Sequence, residues 1–305
     1  MPFVTVPVPS TPIPVENRSH SFGVRVTGGM CWVNAEVADR HGLVRDGAAL
    51  SRFVDALLDA RAAVRETFKD DGKSLVQRIE QDGRSWVVKR YGGSPRRTSW
   101  FHLVRRTPAW REWRYGQLLH RRGLRVIQPI ALVHFTDSGR WRQALITRFV
   151  DGPSLHHWLK KCPPVGSLDR AQQCRRLAVA SAVGRQVGQI TSVGYTNRDH
   201  KVSNLVVDKE CERGGDPTLI DPARIKRRRR DDQVYLMVAR LWRSARRAGE
   251  VTSRERLAVL RALLESDASL EPAGRHRLRT SAERIDRIDQ RLQQMLETNR
   301  RRSAR

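Results

Sequence analysis

A chain of 305 residues is long enough for two domains with separate cores, and 39% hydrophobic content with eight tryptophans marks it as globular rather than disordered. Lys and Arg together number 58 against 32 acids, a net charge of +26, which favours phosphate-bearing partners: nucleic acid, a nucleotide or an anionic membrane leaflet. No apolar run reaches the roughly 18 to 20 residues of a bilayer-crossing helix, so a membrane contact would be peripheral. Cys31, Cys162, Cys174 and Cys211 form neither a CxxC pair nor a zinc-type spacing with the histidines; they read as reduced thiols of a cytoplasmic protein.

In chain order, residues 1 to about 20 hold five prolines and read as an extended leader. They carry no Lys or Arg before Arg18 and no continuous apolar segment of a secretory signal. The stretch "SFGVRVTGGMCWVNAEVADRHG" reads as a small strand pair packed on the N-terminal lobe. In "ALSRFVDALLDARAAVRE", residues 49 to 66, Phe53, Leu57, Leu58 and Val64 recur at helical spacing. Two Asp-Gly turns, at Asp71 and Asp82, then divide "ETFKDDGKSLVQRIEQDGRSWVVKRY" into a three-stranded meander. After a basic linker, Thr107 caps a helix with Pro108 in its first position, and the helix runs to Gly123.

"LRVIQPIALVHF" and "WRQALITRFV" read as two further strands, ending at the turn-rich "DGPSL". The remainder reads as mainly helical. "RRLAVASAVGRQVGQITSVG" places Leu177, Ala180, Gly184, Val187 and Ile190 on one face and stops at Gly194. "NLVVD" and "TLIDP" are short strands around a Gly-Gly turn. Asp231 and Asp232 open a helix with a Val234, Met237, Leu241 stripe. Thr252 and Glu255 form a capping box for a helix with Leu257, Leu260 and Leu264 inward. A charged helix closes the chain. The expected division is a leader and extension over 1–48, an N-lobe over 49–152, a C-lobe over 153–270 and a basic tail over 271–305.

This order of elements resembles an α+β, two-lobed protein kinase-like fold. Phosphoryl transfer needs positioning and charge neutralisation more than covalent chemistry, and the candidate residues suit those tasks. Lys89, ending the strand "SWVVKRY", resembles the strand lysine that holds nucleotide phosphates, and Glu112 resembles its helical ion-pair partner. In "NRDHKVSN", Asp199 and Asn204 have the D-x-x-x-x-N spacing of a kinase catalytic loop, with Lys201 between them. The resemblance implies that Asp199 accepts the proton of the substrate hydroxyl, Lys201 stabilises the transferred phosphoryl group, and Asn204 and Asp221 bind Mg2+.

The pattern also departs from that family. There is no G-x-G-x-x-G, and Gly72 is the one glycine placed to close over phosphates; Asn197 stands where a histidine is expected and Pro222 where a phenylalanine is. "DPARIKRRRRDD" leaves no room for a peptide-docking activation segment. His156 and His157 read as surface or helix-packing residues rather than ligands, and Trp86, Trp110, Trp113 and Trp158 as core and lobe packing.

"AWREWRYGQLLHRRGLRVIQPIAL", "LITRFVDGPSLHHWL", "NRDHKVSNLVV" and "LIDPARIK" together resemble the bacterial lipopolysaccharide core kinases, the heptose and Kdo kinase family. The resemblance covers roughly residues 60 to 265. It implies an ATP- and Mg2+-dependent kinase acting on a sugar hydroxyl of lipid A-core, peripheral on the inner face of the cytoplasmic membrane. Arg96, Arg97, Arg105, Arg106 and the "KRRRR" run at 226–230 would then meet lipid phosphates and the anionic membrane surface. Two alternatives stay open: a kinase for a small molecule or a protein, and a kinase-derived pseudoenzyme or basic nucleic-acid-binding protein. Nucleic acid is the less favoured partner.

Overall fold

The Asp82-Gly83 pair, with positive φ at both residues (52° and 68°), closes a tight hairpin between β4 (Ser74–Gln81) and β5 (Arg84–Tyr91). One turn earlier, the Asp71 carboxylate accepts the N–H groups of Lys73 (3.0 Å) and Ser74 (2.8 Å), while Gly72 takes φ of +69° and links β3 (Val64–Asp70) to β4. The meander therefore forms at its two Asp-Gly signals. The computed structural model describes residues 21–27, 29–40, 47–59, 63–92, 107–137, 140–267 and 269–270. The proline-rich leader, Arg96, Arg97, Arg105, Arg106 and the C-terminal segment lie outside these residues. The chain divides into two units, residues 1–117 with 128–149, and residues 118–127 with 150–305.

The first unit is built on one antiparallel sheet of seven strands in the order β1-β2-β6-β7-β5-β4-β3. The remaining strands are β1 (Ser21–Val26), β2 (Gly29–Asn34), β6 (Pro129–Asp137) and β7 (Arg140–Arg148). The β1–β2 hairpin extends the sheet edge-on through β6, with Cys31 opposite Val133, rather than packing across it. Alternation sorts the side chains to two faces. Cys31, Val33, Ile79, Trp86, Val88, Ala144 and Ile146 form one core with Leu50, Phe53, Val54 and Leu57 of helix α2 (Gly47–Leu58). Leu132 and Leu145 face the other way, onto Ala109 and Trp113 of helix α3 (Pro108–Arg121), where Trp32, Tyr91 and Trp110 complete the layer. A short helix α1 (Ala35–Arg40) follows β2. Asp55 of α2 holds the β1–β2 turn by accepting the N–H (3.0 Å) and hydroxyl (2.9 Å) of Thr27.

Here one expectation fails. The helix stops at Leu58, and Val64, 41% exposed, begins β3. Val64 kept the helical period only because strand β3 starts there by chance in phase. Elsewhere the start signals operate as read: Thr107 Oγ1 accepts from Trp110 N–H at 3.3 Å, Pro108 opens α3, and Gly123 follows it with φ of +77°.

In the second unit, Ser154 caps α4 (Leu155–Lys161), and a capping box of Asp169 and Gln172 starts α5 at Arg170, so that it runs to Ser192. The sequence reading began this helix one turn late. Val179, Ala182, Val183, Gly184, Val187, Gly188 and Ile190 are buried, whereas Leu177 and Ala180 are half-buried, so the inward face is rotated from the expected one. The partner of α5 is α8 (Ser253–Ser266), which has the expected Thr252–Glu255 capping box. A side-chain carbon at Gly184 would lie 2.2 Å from the Val259 carbonyl oxygen, and one at Gly188 2.7 Å from that of Leu263. The two helices touch backbone to backbone. Arg176 closes one end on Glu255 (Nε–Oε1 2.5 Å, Nη2–Oε2 3.2 Å), and the Thr191 hydroxyl donates to Asp267 (2.6 Å) at the other. Leu257 is corrected here: it is 59% exposed, Leu264 is half-buried, and Val259, Leu260 and Leu263 point inward.

A turn of helix, α6 (Lys209–Glu212), occupies part of the expected loop between strands β9 (Leu205–Val206) and β10 (Thr218–Leu219), which pair antiparallel. α7 (Asp232–Ala248) buries Val234, Met237 and Leu241 as its stripe requires. Among the described residues, no helix is long and apolar enough to cross a membrane.

Candidate active site

The first unit contributes a buried charge pair. Strand alternation sends Lys89 and Tyr91 to the face opposite Trp86 and Val88, the face covered by α3. Lys89 Nζ lies 2.7 Å from Glu112 Oε2, and the Tyr91 hydroxyl donates to the same oxygen at 2.5 Å. Glu112 is 2% exposed, so its carboxylate is served by protein donors such as these rather than by bulk water. Lys89 retains 20% side-chain exposure, which leaves an approach to its ammonium group. Tyr91 was not singled out from sequence, although a residue two positions past Lys89 in a strand must share its face. Gly72 sits apart from this pair at the β3–β4 tip. There the backbone is tightly drawn in, since a side chain on Gly92 would come within 3.0 Å of the Gly72 carbonyl oxygen.

The second unit contributes the loop. β8 (Tyr195–Asn197) pairs with β11 (Ile225–Arg227), and the chain then turns through Arg198–Lys201 into a short 3₁₀ turn, Val202–Asn204. Asn204 Nδ2 donates to the Asp199 carbonyl oxygen (2.9 Å) and to Asp199 Oδ2 (3.3 Å). Lys201 Nζ lies 3.0 Å from Oδ2 of the same carboxylate. The D-x-x-x-x-N spacing thus closes on itself, and fixes Asp199 while leaving its side chain 37% exposed. Asp221 is brought alongside by the β9–β10 pair and by the Ile220 N–H, which donates to the Asn204 carbonyl oxygen (2.9 Å). Its Oδ1 accepts from Ala223 N–H at 3.3 Å, capping the turn Pro222–Arg224.

This donor set fits magnesium. Nδ2 of Asn204 is committed to Asp199, while its Oδ1, which accepts a long hydrogen bond from the Ser203 hydroxyl (3.5 Å), keeps a lone pair for a cation, and Asp221 supplies carboxylate oxygen; both are hard oxygen ligands. Among the described residues no three His, Cys, Asp or Glu side chains gather as a metal site. A two-residue oxygen site completed by phosphate oxygens is how magnesium is ordinarily held in phosphoryl-transfer enzymes.

The two departures from the kinase pattern are absorbed locally. Asn197 is fully buried, and its Oδ1 accepts the Asp199 N–H at 3.0 Å, so the side chain replacing histidine pins the same loop. Pro222 is also buried. Sequence reasoning passed over His200, which is 0% exposed with neither ring nitrogen hydrogen-bonded among the described residues. Burial lowers its pKa to about 4 against the opposing pull of Asp199, so the ring is neutral at physiological pH. A lone histidine between two motif residues gives no sequence signal of burial. His157 is a surface residue of α4, its Nδ1 lying 3.0 Å from Oγ of the N-cap Ser154.

The model of the lipopolysaccharide kinase (Kdo/WaaP) family matches residues 57–263. The chain belongs to this family. It is therefore a kinase, a phosphotransferase of lipopolysaccharide, and Gly72, Lys89, Glu112, Asp199, Lys201, Asn204 and Asp221 all fall inside the matched span. The structure of WaaP in complex with acyl carrier protein is similar over 75% of this chain and 90% of that chain, with a TM-score of 0.52 and 21% identity. That likeness bears on the fold, which is kinase-like in this lipopolysaccharide kinase as in WaaP. No curated protein matches.

Proposed function

We propose that this kinase transfers the γ-phosphoryl group of ATP to a sugar hydroxyl, of heptose or Kdo, in the lipopolysaccharide core at the cytoplasmic membrane face. The observation that carries the reading is the closed loop in which Asn204 and Lys201 both engage the Asp199 carboxylate, at 3.3 Å and 3.0 Å. Asp199 is oriented yet open to solvent, which suits a group that must accept a hydroxyl proton. In the reaction the acceptor oxygen attacks the γ-phosphorus, the bond to the bridging oxygen breaks and ADP departs, while the hydroxyl proton passes to Asp199. Lys201, beside that carboxylate, is placed to balance the charge on the moving phosphoryl group. Lys89, held by Glu112, takes the nucleotide phosphates, and Gly72, at the β3–β4 tip, is the glycine that would close over them. Asn204 and Asp221 would hold Mg2+, which when bound neutralises phosphate oxygens.

Membrane association is supported by charge. Arg224, Lys226, Arg227, Arg229 and Arg230 are exposed in sequence beside the site, each worth about 1 kcal/mol near an anionic leaflet. Arg228 does not belong to this surface: its guanidinium binds Asp231, Asp267 (3.0 Å) and the Thr191 carbonyl oxygen (3.2 Å).

The test is transfer from γ-labelled ATP, with and without magnesium, to lipid A-core lacking its core phosphates. Wild type is expected to label the saccharide only with magnesium present, and Asp199→Ala to lose at least about a thousandfold of the rate. Equal labelling by the variant would overturn the role of Asp199. Nucleotide binding without labelling of this acceptor would overturn the substrate.

A further inference from the structure

α7 lies along the loop that carries Asp199 and is tied to it at two points. Asn197 N–H donates to Met237 Sδ at 3.4 Å, and Val202 N–H donates to Ser244 Oγ at 3.0 Å. Met237, Arg240 and Ser244 follow at i, i+3 and i+7, so the face bearing both anchors bears Arg240 between them. On the loop, residues 197 and 202 bracket Asp199 in the same way. Arg240 is therefore set against the Arg198–His200 segment. Arg198 is exposed and adjoins Asp199, and its backbone is fixed by an N–H bond to the Arg224 carbonyl oxygen at 3.2 Å.

This is an uncomfortable arrangement of like charges. Burial of Arg240, and then the charges of Arg198 and Arg243, all weaken its hold on a proton; Asp199 alone acts the other way. Asp199 is already shared with Lys201 and Asn204. Among the described residues neither Arg198 nor Arg240 forms an ion pair of its own. If the role of Arg240 were only to cover apolar surface with its stem, an uncharged side chain would do so without the repulsion. Two guanidinium forks with donors to spare, one exposed and the other part-buried beside a carboxylate of the loop, are suited to a phosphate oxyanion.

We propose that Arg198 and Arg240 form an anion subsite beside Asp199 that binds a phosphate group already carried by the saccharide acceptor. The inference deepens the kinase reading and rests on it: the substrate is a phosphosaccharide, and the phosphate it arrives with orients the hydroxyl to be modified. A membrane phospholipid headgroup offers the same chemistry, and the test separates the two sources.

Binding to the full-length protein is measured by calorimetry, without nucleotide, for three probes. These are the deacylated lipid A-core saccharide, the same saccharide after phosphatase treatment, and phosphatidylglycerol vesicles. Wild type is expected to bind the phosphorylated saccharide at least tenfold more tightly than its dephosphorylated twin. Arg240→Gln should remove that preference, weakening the phosphorylated probe about ten- to a hundredfold, with Arg240→Lys falling between. Vesicle binding should not change. Arg198→Gln, judged folded by circular dichroism, makes the same measurement independently should Arg240→Gln not fold. Equal binding of the two saccharides by wild type overturns the proposal, as does a loss in Arg240→Gln that appears with vesicles instead. Because no transfer is involved, either result leaves the kinase assay to judge the parent reading by itself.

Discussion

Glu112 is nearly sealed from solvent, and Lys89 and Tyr91 both donate to its carboxylate. At 2.7 Å the Lys89–Glu112 attraction is about 6 kcal/mol for an effective dielectric constant of 20, and the desolvation of Glu112 consumes much of it. The pair is therefore worth less than its Coulomb energy but is costly to break on one side. Glu112→Leu removes the acceptor that the Lys89 ammonium group and the Tyr91 hydroxyl share; Lys89→Met leaves a 2% exposed carboxylate with one donor fewer. Each should destabilise the first unit by about 3–5 kcal/mol. Lys89→Met with Glu112→Leu removes both charges together and should cost about 2–4 kcal/mol less than the sum of the single changes. Urea unfolding followed by tryptophan fluorescence reads this, because Trp86 and Trp113 are buried in the two layers of the same sheet. Additive effects, within about 0.5 kcal/mol, would refute the argument that these residues act as one buried unit.

Two further outcomes follow from the second unit. His200 is neutral when folded, with a pKa near 4 against 6.5 in an open chain, so the unfolded chain binds more protons below pH 6.5. Stability should be level above that value and fall by about 3 kcal/mol as pH drops to 4, and His200→Leu should flatten this slope; an unchanged slope would mean that other groups set it. Gly184→Ala places a carbon 2.2 Å from the Val259 carbonyl oxygen and forces α5 away from α8, which should cost about 2 kcal/mol or more despite the better helix propensity of alanine. Gly166→Ala, which meets nothing within 4 Å, should stay within about 0.5 kcal/mol of wild type, and thermal denaturation distinguishes the two.

What could be read from the sequence was local. The Asp-Gly turns, the Thr107 and Thr252 caps and the Asp199–Asn204 spacing are short-range devices in which a side chain satisfies backbone groups a few residues away, so their geometry is written in adjacent letters. The misreadings have the same origin. A helical period over so few residues ran on into Val64, and Leu257 fitted a stripe whose true direction was set by Gly184 and Gly188 on another helix. That β1 and β2 extend the sheet through β6 depends on a partner about a hundred residues away, and no local pattern specifies it.

The site divides along the same line. Sequence alone determined that Asp199, Lys201 and Asn204 share a loop and that Lys89 lies in a strand, because spacing and alternation constrain them directly. Only the tertiary structure decided that Tyr91 joins Lys89 on Glu112, that His200 is buried with no hydrogen-bond partner among the described residues, and that Arg240 of a distant helix feels the charges of Arg198 and Asp199. Those relations come from burial and packing between distant segments, where the energy depends on which surfaces exclude water, a property that no single stretch of the chain possesses by itself.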